Sequence, residues 1–136
     1  FAVPPALRFP QSSLSVAAQM ALVLQAPTLL QRRGIDLLWL QRQVQAALHE
    51  SWPTARLADL VHLSVAQFHA RFVELTDRTP QDWLRGLRLD AAVLQLRKGA
   101  ALEATALRCG YASASALAYA LRRERGLTSR QLRERR

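Results

Sequence analysis

Cysteine, lysine and methionine are nearly absent from this chain of 136 residues. It has one cysteine and one methionine, and Lys98 is the only lysine among its 19 bases. The lone Cys109 excludes a disulfide framework and a cysteine zinc site, and it favours a reducing compartment. The histidines His49, His62 and His69 have no acid or thiol at metal-ligand spacing, so we expect no metal site.

Sequence motifs for catalysis are also missing. The sequence contains no glycine-rich phosphate loop, nucleophile elbow, carboxylate pair or redox motif. We therefore expect no catalytic residue, no cofactor and no enzymatic activity.

Long apolar runs are missing as well. The longest mostly apolar run, from Leu14 to Ala26, is about half a bilayer span and contains Gln19 and Gln25. This excludes a membrane span there, and we expect a cytoplasmic protein without a membrane partner. Because the chain starts at Phe1, it is interpreted as the C-terminal piece of a longer protein.

Arginine supplies the excess charge of the chain, and most of it lies at the C-terminal end. The formal net charge is +9, and residues 104–136 carry eight arginines against Glu124 and Glu134. Such a charge predicts attraction to polyanions, nucleic acid first. Tyr119, Leu121 and Leu127 interleave with these arginines, which favours a folded binding face over a solvated tail.

The apolar pattern predicts an all-α chain. No stretch alternates strictly between apolar and polar residues, and Leu, Ala, Arg and Gln dominate. Capping residues and helix-breaking Pro and Gly divide the chain into helices. These are predicted at 13–26, 28–33, 36 to about 48, 54–61, 64–76, 80–98, 102–109, 113–125 and from 128 or 129 onward. In the helix 80–98, we expect Trp83, Leu87, Leu94 and Leu96 to face inward.

The two halves of residues 54–133 repeat each other. Five pairs of similar residues lie 49 positions apart: Ser64 and Ser113, Phe68 and Leu117, Phe72 and Leu121, Thr79 and Thr128, and Trp83 and Leu132. Each half has a short helix with a small alanine, a tight turn, a serine cap and a second helix. This arrangement is typical of a helix-turn-helix unit, whose second helix enters the major groove of DNA.

The helix 80–98 has a length that suits two such units. Its 19 residues span roughly 28 Å at about 1.5 Å per residue. It could hold the two second helices about one turn of DNA apart, in successive major grooves on one face.

Residues 36–133 resemble the DNA-binding domain of AraC/XylS-type bacterial transcription regulators. The residues that carry the resemblance are Leu57-Ala58, Ser64, Phe68, Phe72, Thr79-Pro80, Trp83, Arg88-Leu89-Asp90, Ala92, Leu96, Ala106, Gly110-Tyr111, Ser115, Leu117, Leu121, Gly126 and Arg133. The resemblance implies a seven-helix domain over 36–136, with helix-turn-helix units at about 54–76 and 101–125 joined by the helix 80–98. Residues 1–35 would then be a partly helical linker, or the tail of an upstream sensing domain.

The sequence departs from the family pattern at four positions. His62 and Asp77 stand where family members usually have glycine, Ser129 replaces a usual proline, and Thr105 replaces a core isoleucine.

The resemblance also assigns the residues that face DNA. The base-facing positions are Ala66, Gln67, His69, Ala70, Ala114, Ser115, Ala118 and Tyr119. The helix amides behind Ser64 and Ser113, together with Arg122, Arg123, Arg125 and Arg130, are expected to hold phosphates. Since no arginine is placed for a bidentate guanine contact, we expect binding to rely strongly on phosphates and shape, with few bases read by the second unit.

Other interpretations stay open at this point. The AraC-like scaffold could have lost base reading and become a protein-interaction module, although the arginine cluster argues against this. RNA polymerase is an expected partner, and a homodimer could form through residues 13–50 or a sensing domain. Cys109 and the tryptophans Trp39, Trp52 and Trp83 are interpreted as packing residues. For Arg88, an ion pair with Asp90 and a phosphate contact are equally acceptable.

Overall fold

The computed structural model describes residues 35–134, and these residues form seven α-helices and no strand. The helices are α1 (Leu37–Gln45), α2 (Thr54–Leu60), α3 (Val65–Thr76), α4 (Pro80–Arg97), α5 (Leu102–Arg108), α6 (Ala114–Arg125) and α7 (Ser129–Glu134). The all-α, seven-helix prediction is confirmed. The helices expected at 13–26 and 28–33 lie outside the described residues.

The seven helices form two hydrophobic cores. The first contains the buried face of α3, where Phe68 and Phe72 are fully buried and Trp83 meets the Phe72 ring edge-on at 5.2 Å. The second contains Leu117, Leu121 and Leu132 from α6 and α7. Trp52 and Trp83 are buried and Trp39 packs against the first core, so their packing role is confirmed.

Helix α4 belongs to both cores but buries a different face in each. Its N-terminal half places Trp83, Leu84 and Leu87 in the first core, and its C-terminal half places Leu89, Ala92 and Leu96 in the second. At about 100° per residue these two sets point to nearly opposite sides of the helix. The cores therefore lie on opposite sides of α4.

The structure corrects two predictions, one on α4 and one on α1. Leu94 lies on the same side as Leu87, beyond the end of the first core, and is 55% exposed rather than inward-facing. Helix α1 ends at Gln45, so Leu48 is buried from the following turn and not from a helix.

The two helix-turn-helix units share the same turn. In the first unit the amide of Leu63 donates to the carbonyl of Ala58 at 3.0 Å, and in the second Tyr111 donates to Ala106 at 2.8 Å. Both alanines are buried, so the two helices of each unit cross closely at a small residue. The repeat seen in the sequence is thus a repeat of backbone geometry.

The departures from family glycines fall where the backbone is left-handed. His62 has φ 59° and Asp77 has φ 60°, and the position matching His62 in the second unit, Gly110, has φ 87°. An L-residue with a side chain is strained in this conformation, by about 1–2 kcal/mol. Thr105, which replaces a core isoleucine of the family pattern, is buried, and its hydroxyl donates to the carbonyl of Ala101 at 2.8 Å.

Replacing His62 with glycine is therefore expected to stabilise the protein. Glycine relieves the left-handed strain at φ 59°, but its greater freedom in the unfolded chain offsets part of the gain, leaving a net increase of about 0.5–1 kcal/mol. Urea unfolding followed by circular dichroism measures this change. His69→Gly is the control, because His69 lies within a right-handed helix, where the same change costs a few tenths of a kcal/mol. A loss of stability in His62→Gly would contradict the interpretation that the backbone at His62 is strained.

The two cores are held together by the side chain of Arg88. Its guanidinium donates to the carbonyl of Leu48, to that of Glu50 at 3.1 Å and to that of Cys109 at 2.7 Å. Burial lowers the pKa of Arg88 and raises that of Cys109. The expected ion pair between Arg88 and Asp90 is thus wrong, since Arg88 donates to backbone carbonyls from two distant segments and Asp90 pairs with Arg125.

Candidate nucleic-acid interface

The second helix of the first unit, α3, begins at a reciprocal cap. The Oγ of Ser64 accepts from the amide of Gln67 at 3.1 Å, and the Oε1 of Gln67 accepts from the amide of Ser64 at 3.2 Å. This capping box leaves the amides of residues 65 and 66 without partners inside the helix. Helix α3 therefore presents two amides and the positive end of its dipole to an anion.

The four positions expected to face bases in α3 share one exposed surface. Ala66, Gln67, His69 and Ala70 are all exposed, whereas Phe68 and Phe72 of the same helix are fully buried. The side-chain oxygen of Gln67 is held by the cap, so its Nε2 is the group that points outward as a donor. His69 supplies the other hydrogen-bonding side chain of this face.

The second unit repeats the cap with fewer polar groups. The Oγ of Ser113 accepts from the amide of Ala116 at 3.1 Å, and α6 follows directly. Ser115 and Tyr119 are exposed, but Ala114 and Ala118 are half-buried. A half-buried methyl group offers little to a base edge, so Ser115 and Tyr119 are the polar groups that this face offers.

The arginines expected to hold phosphates are exposed, and three of them have partners within the chain. Arg123 donates to the hydroxyl of Tyr119 at 3.0 Å, which raises the pKa of Arg123. Arg125 pairs with Asp90 at 2.9 Å, and Arg130 with Glu134 at 3.2 Å. Exposed pairs of this kind are worth about 0–1 kcal/mol, so a phosphate can replace the carboxylate at small cost.

Two further arginines adjoin this surface and were not among the expected contacts. The guanidinium of Arg78 lies over Gly86 on α4, and Arg85 lies one turn from Asp82 and pairs with it. Both line a cleft beside Arg125. The three-residue spacing of Arg85 and Arg88 places these two arginines on one side of a helix, but no local pattern shows that Arg78 and Arg85 lie next to Arg125 of α6.

The described part of the chain was also compared with the requirements of a metal site and of a membrane span. Residues 35–134 contain no group of three His, Cys, Asp or Glu side chains that could hold a metal ion. Within the same range, no helix is long and apolar enough to cross a bilayer. Cys109 is buried, as expected for a packing residue.

Comparison with protein families and curated proteins gives consistent matches. A family model described as a helix-turn-helix domain matches residues 57–135. A putative AraC-like transcription regulator of Streptomyces lividans is 38% identical over 78 residues, and one of Streptomyces antibioticus is 37% identical over the same length. Each match covers 57% of this chain and 26% of the relative, so the chain spans about a quarter of those proteins.

Solved structures share the fold. The DNA-binding domain of AdpA, described as a global transcriptional factor in complex with a target DNA, superposes with a TM-score of 0.65 and 29% identity. The superposition covers 72% of this chain and 89% of the AdpA domain. A transcriptional regulator with an AraC-type DNA-binding domain from Chromobacterium violaceum gives a TM-score of 0.66 at 21% identity, over 80% of this chain and 94% of that one. At 21% identity, this second likeness concerns the fold alone.

Proposed function

The chain belongs to the AraC type of helix-turn-helix transcription regulators, and on this premise we propose that residues 36–136 are its domain for binding specific sequences of double-stranded DNA. Helices α3 and α6 enter adjacent major grooves. Arginine side chains and the helix N-termini hold the phosphates. The DNA complex of the AdpA domain, which has 29% identity and the same fold, supports this proposal.

The observation that carries the proposal is the matching geometry of two units joined by one rigid helix. Both second helices begin at a serine cap after the same hydrogen-bonded turn, and both expose a face that the cores do not use. Helix α4 has 18 residues, which corresponds to about 27 Å of length. This separation suits two helices reaching grooves about 34–36 Å apart along the DNA.

The two units are expected to contribute unequally to sequence recognition. The first offers the amide nitrogen of Gln67 and the ring of His69, and the second offers Ser115 and Tyr119, the latter already held by Arg123. Alanine at positions 66, 70, 114 and 118 adds at most a contact with a thymine methyl. We therefore expect a defined half-site under α3, and a looser one under α6 that depends on phosphates and DNA shape.

The activity of the whole protein extends this proposal. RNA polymerase is the expected partner in regulation, and a homodimer could form through residues 13–50 or a sensing domain. We propose a cytoplasmic regulator without catalytic activity or cofactor. The alternative of a pure protein-interaction module is not favoured by the family match or by the AdpA–DNA complex.

Exchanging His69 tests sequence reading directly. His69→Ala is expected to weaken binding to the best duplex from one round of selection about fivefold, because one base contact is lost, and to leave binding to a random 30-mer unchanged. Fluorescence anisotropy with both duplexes measures this ratio. The control is His49→Ala, because His49 is also exposed but lies in the turn after α1. Equal loss on both duplexes would contradict a base contact by His69.

A further inference from the structure

A cleft separates α4 from α6, and arginines from both helices line it. Its larger part, about 440 Å³, is bordered by Arg85 and Arg88 on α4 and by Tyr119, Arg123 and Glu124 on α6. Its smaller part, about 290 Å³, is bordered by Arg78, Arg85 and Arg125. Arg85 is the arginine that borders both parts, and Glu124, which pairs with Arg123 at 3.8 Å, borders both as well.

The arginines of this cleft differ in what they can do. The guanidinium of Arg88 is fixed by three backbone carbonyls and contributes a charge that stays in place. Arg85 has a half-exposed side chain whose partner, Asp82, is itself half-exposed. An exposed pair is weak, so Arg85 can turn to an anion that enters the cleft. Arg123, held by the Tyr119 hydroxyl, faces it from the other wall.

The cleft adjoins the base-facing side of α6 and the segment that follows α3. Tyr119 belongs both to the base-facing side of α6 and to the wall of the cleft. On the other side, Arg78 lies two residues beyond Thr76, the last residue of α3. When two helices occupy successive major grooves on one face of DNA, the segment between them presents its minor groove and the phosphates that border it.

We propose that this cleft binds a backbone phosphate of the DNA between the two major grooves, with Arg85 as its principal donor and Arg123 as the donor on the opposite wall. The inference rests on the proposed function. A guanidinium binds a phosphate through two parallel hydrogen bonds. To form them, Arg85 leaves the carboxylate of Asp82. The contact positions the two units on the duplex and reads no base.

The test removes either the charge on the protein or the charge on the DNA. The native probe is the selected 30-bp duplex, and the second probe is the same duplex with uncharged methylphosphonates at the four central phosphates. We expect the wild type to bind the second probe about five- to tenfold more weakly. Arg85→Gln should bind the native probe more weakly by a similar factor, with a salt slope lower by about 1.

The combination of the two changes decides the proposal. If Arg85 contacts these phosphates, the affinity of Arg85→Gln for the methylphosphonate duplex is only a little lower than its affinity for the native duplex. Arg97→Gln is the matched control on the exposed end of α4, and it should behave as the wild type on both probes. If the losses in affinity from Arg85→Gln and from the methylphosphonates multiply, the cleft contact is overturned and the proposed function still stands. No binding of the wild type to the native duplex at low salt would overturn both.

Discussion

Gly110→Ala is expected to lower the free energy of unfolding by about 3–5 kcal/mol. Gly110 has φ 87°, a conformation that strains any L-residue with a side chain. A Cβ at this position would also overlap the guanidinium of Arg88 and the carbonyl oxygen of Leu48. The methyl group therefore displaces the side chain that joins the two cores.

Gly126→Ala is the matched control for this prediction. Gly126 ends α6 with φ 63°, so it shares the left-handed backbone, but no atom would lie within 4 Å of an added Cβ. Only the backbone strain remains, and we expect a loss of about 1 kcal/mol. Urea unfolding of both variants, followed by circular dichroism, gives the comparison. Equal losses would show that the close approach of Arg88 to Gly110 has no energetic consequence.

Arg88→Met is expected to cost about 2–4 kcal/mol. The methionine keeps most of the apolar stem, but three part-buried carbonyls, of Leu48, Glu50 and Cys109, lose a charged donor. An unsatisfied buried acceptor costs about 1–3 kcal/mol, and some of these carbonyls recover a water molecule. The loss should appear as weaker coupling between the cores, because Arg88 bonds to the segment after α1 and to the turn before α6.

Thermal and urea unfolding of Arg88→Met and Arg97→Met separate this effect from the removal of a charge. Arg97 is on the same helix but exposed, and its exchange should change stability by less than about 0.5 kcal/mol. A loss of this small size in Arg88→Met would contradict its role in joining the cores.

Local signals in the sequence accounted for most of the helices. The caps at Ser64, Thr79 and Ser113 each form the side-chain hydrogen bond that their residue type predicts. The alanine of each crossing and the 49-residue repeat likewise reappear as buried residues and matching turns. These features depend on residues a few positions apart, so the sequence is enough to locate them.

The features that the sequence did not predict depend on distant residues. The exposure of Leu94 follows from the opposite faces that α4 buries, and a helix periodicity assumes one buried face. Arg88 binds a carbonyl 40 residues away, which no local pattern shows. At the candidate interface, the exposure of Gln67, His69 and Tyr119 agrees with the expected surface, whereas the position of Arg85 next to α6 depends on the packing of two distant helices.

The claim that both units bind DNA at once has a direct test in the spacing of the selected site. Inserting five base pairs at its centre rotates one half-site about half a turn away from the other, since a turn is about 10–10.5 bp. Because α3 keeps its own half-site, fluorescence anisotropy should show a loss of about tenfold, the share of affinity that depends on α6 meeting its half-site in register. Unchanged affinity after the insertion would contradict simultaneous binding of α3 and α6 to adjacent major grooves.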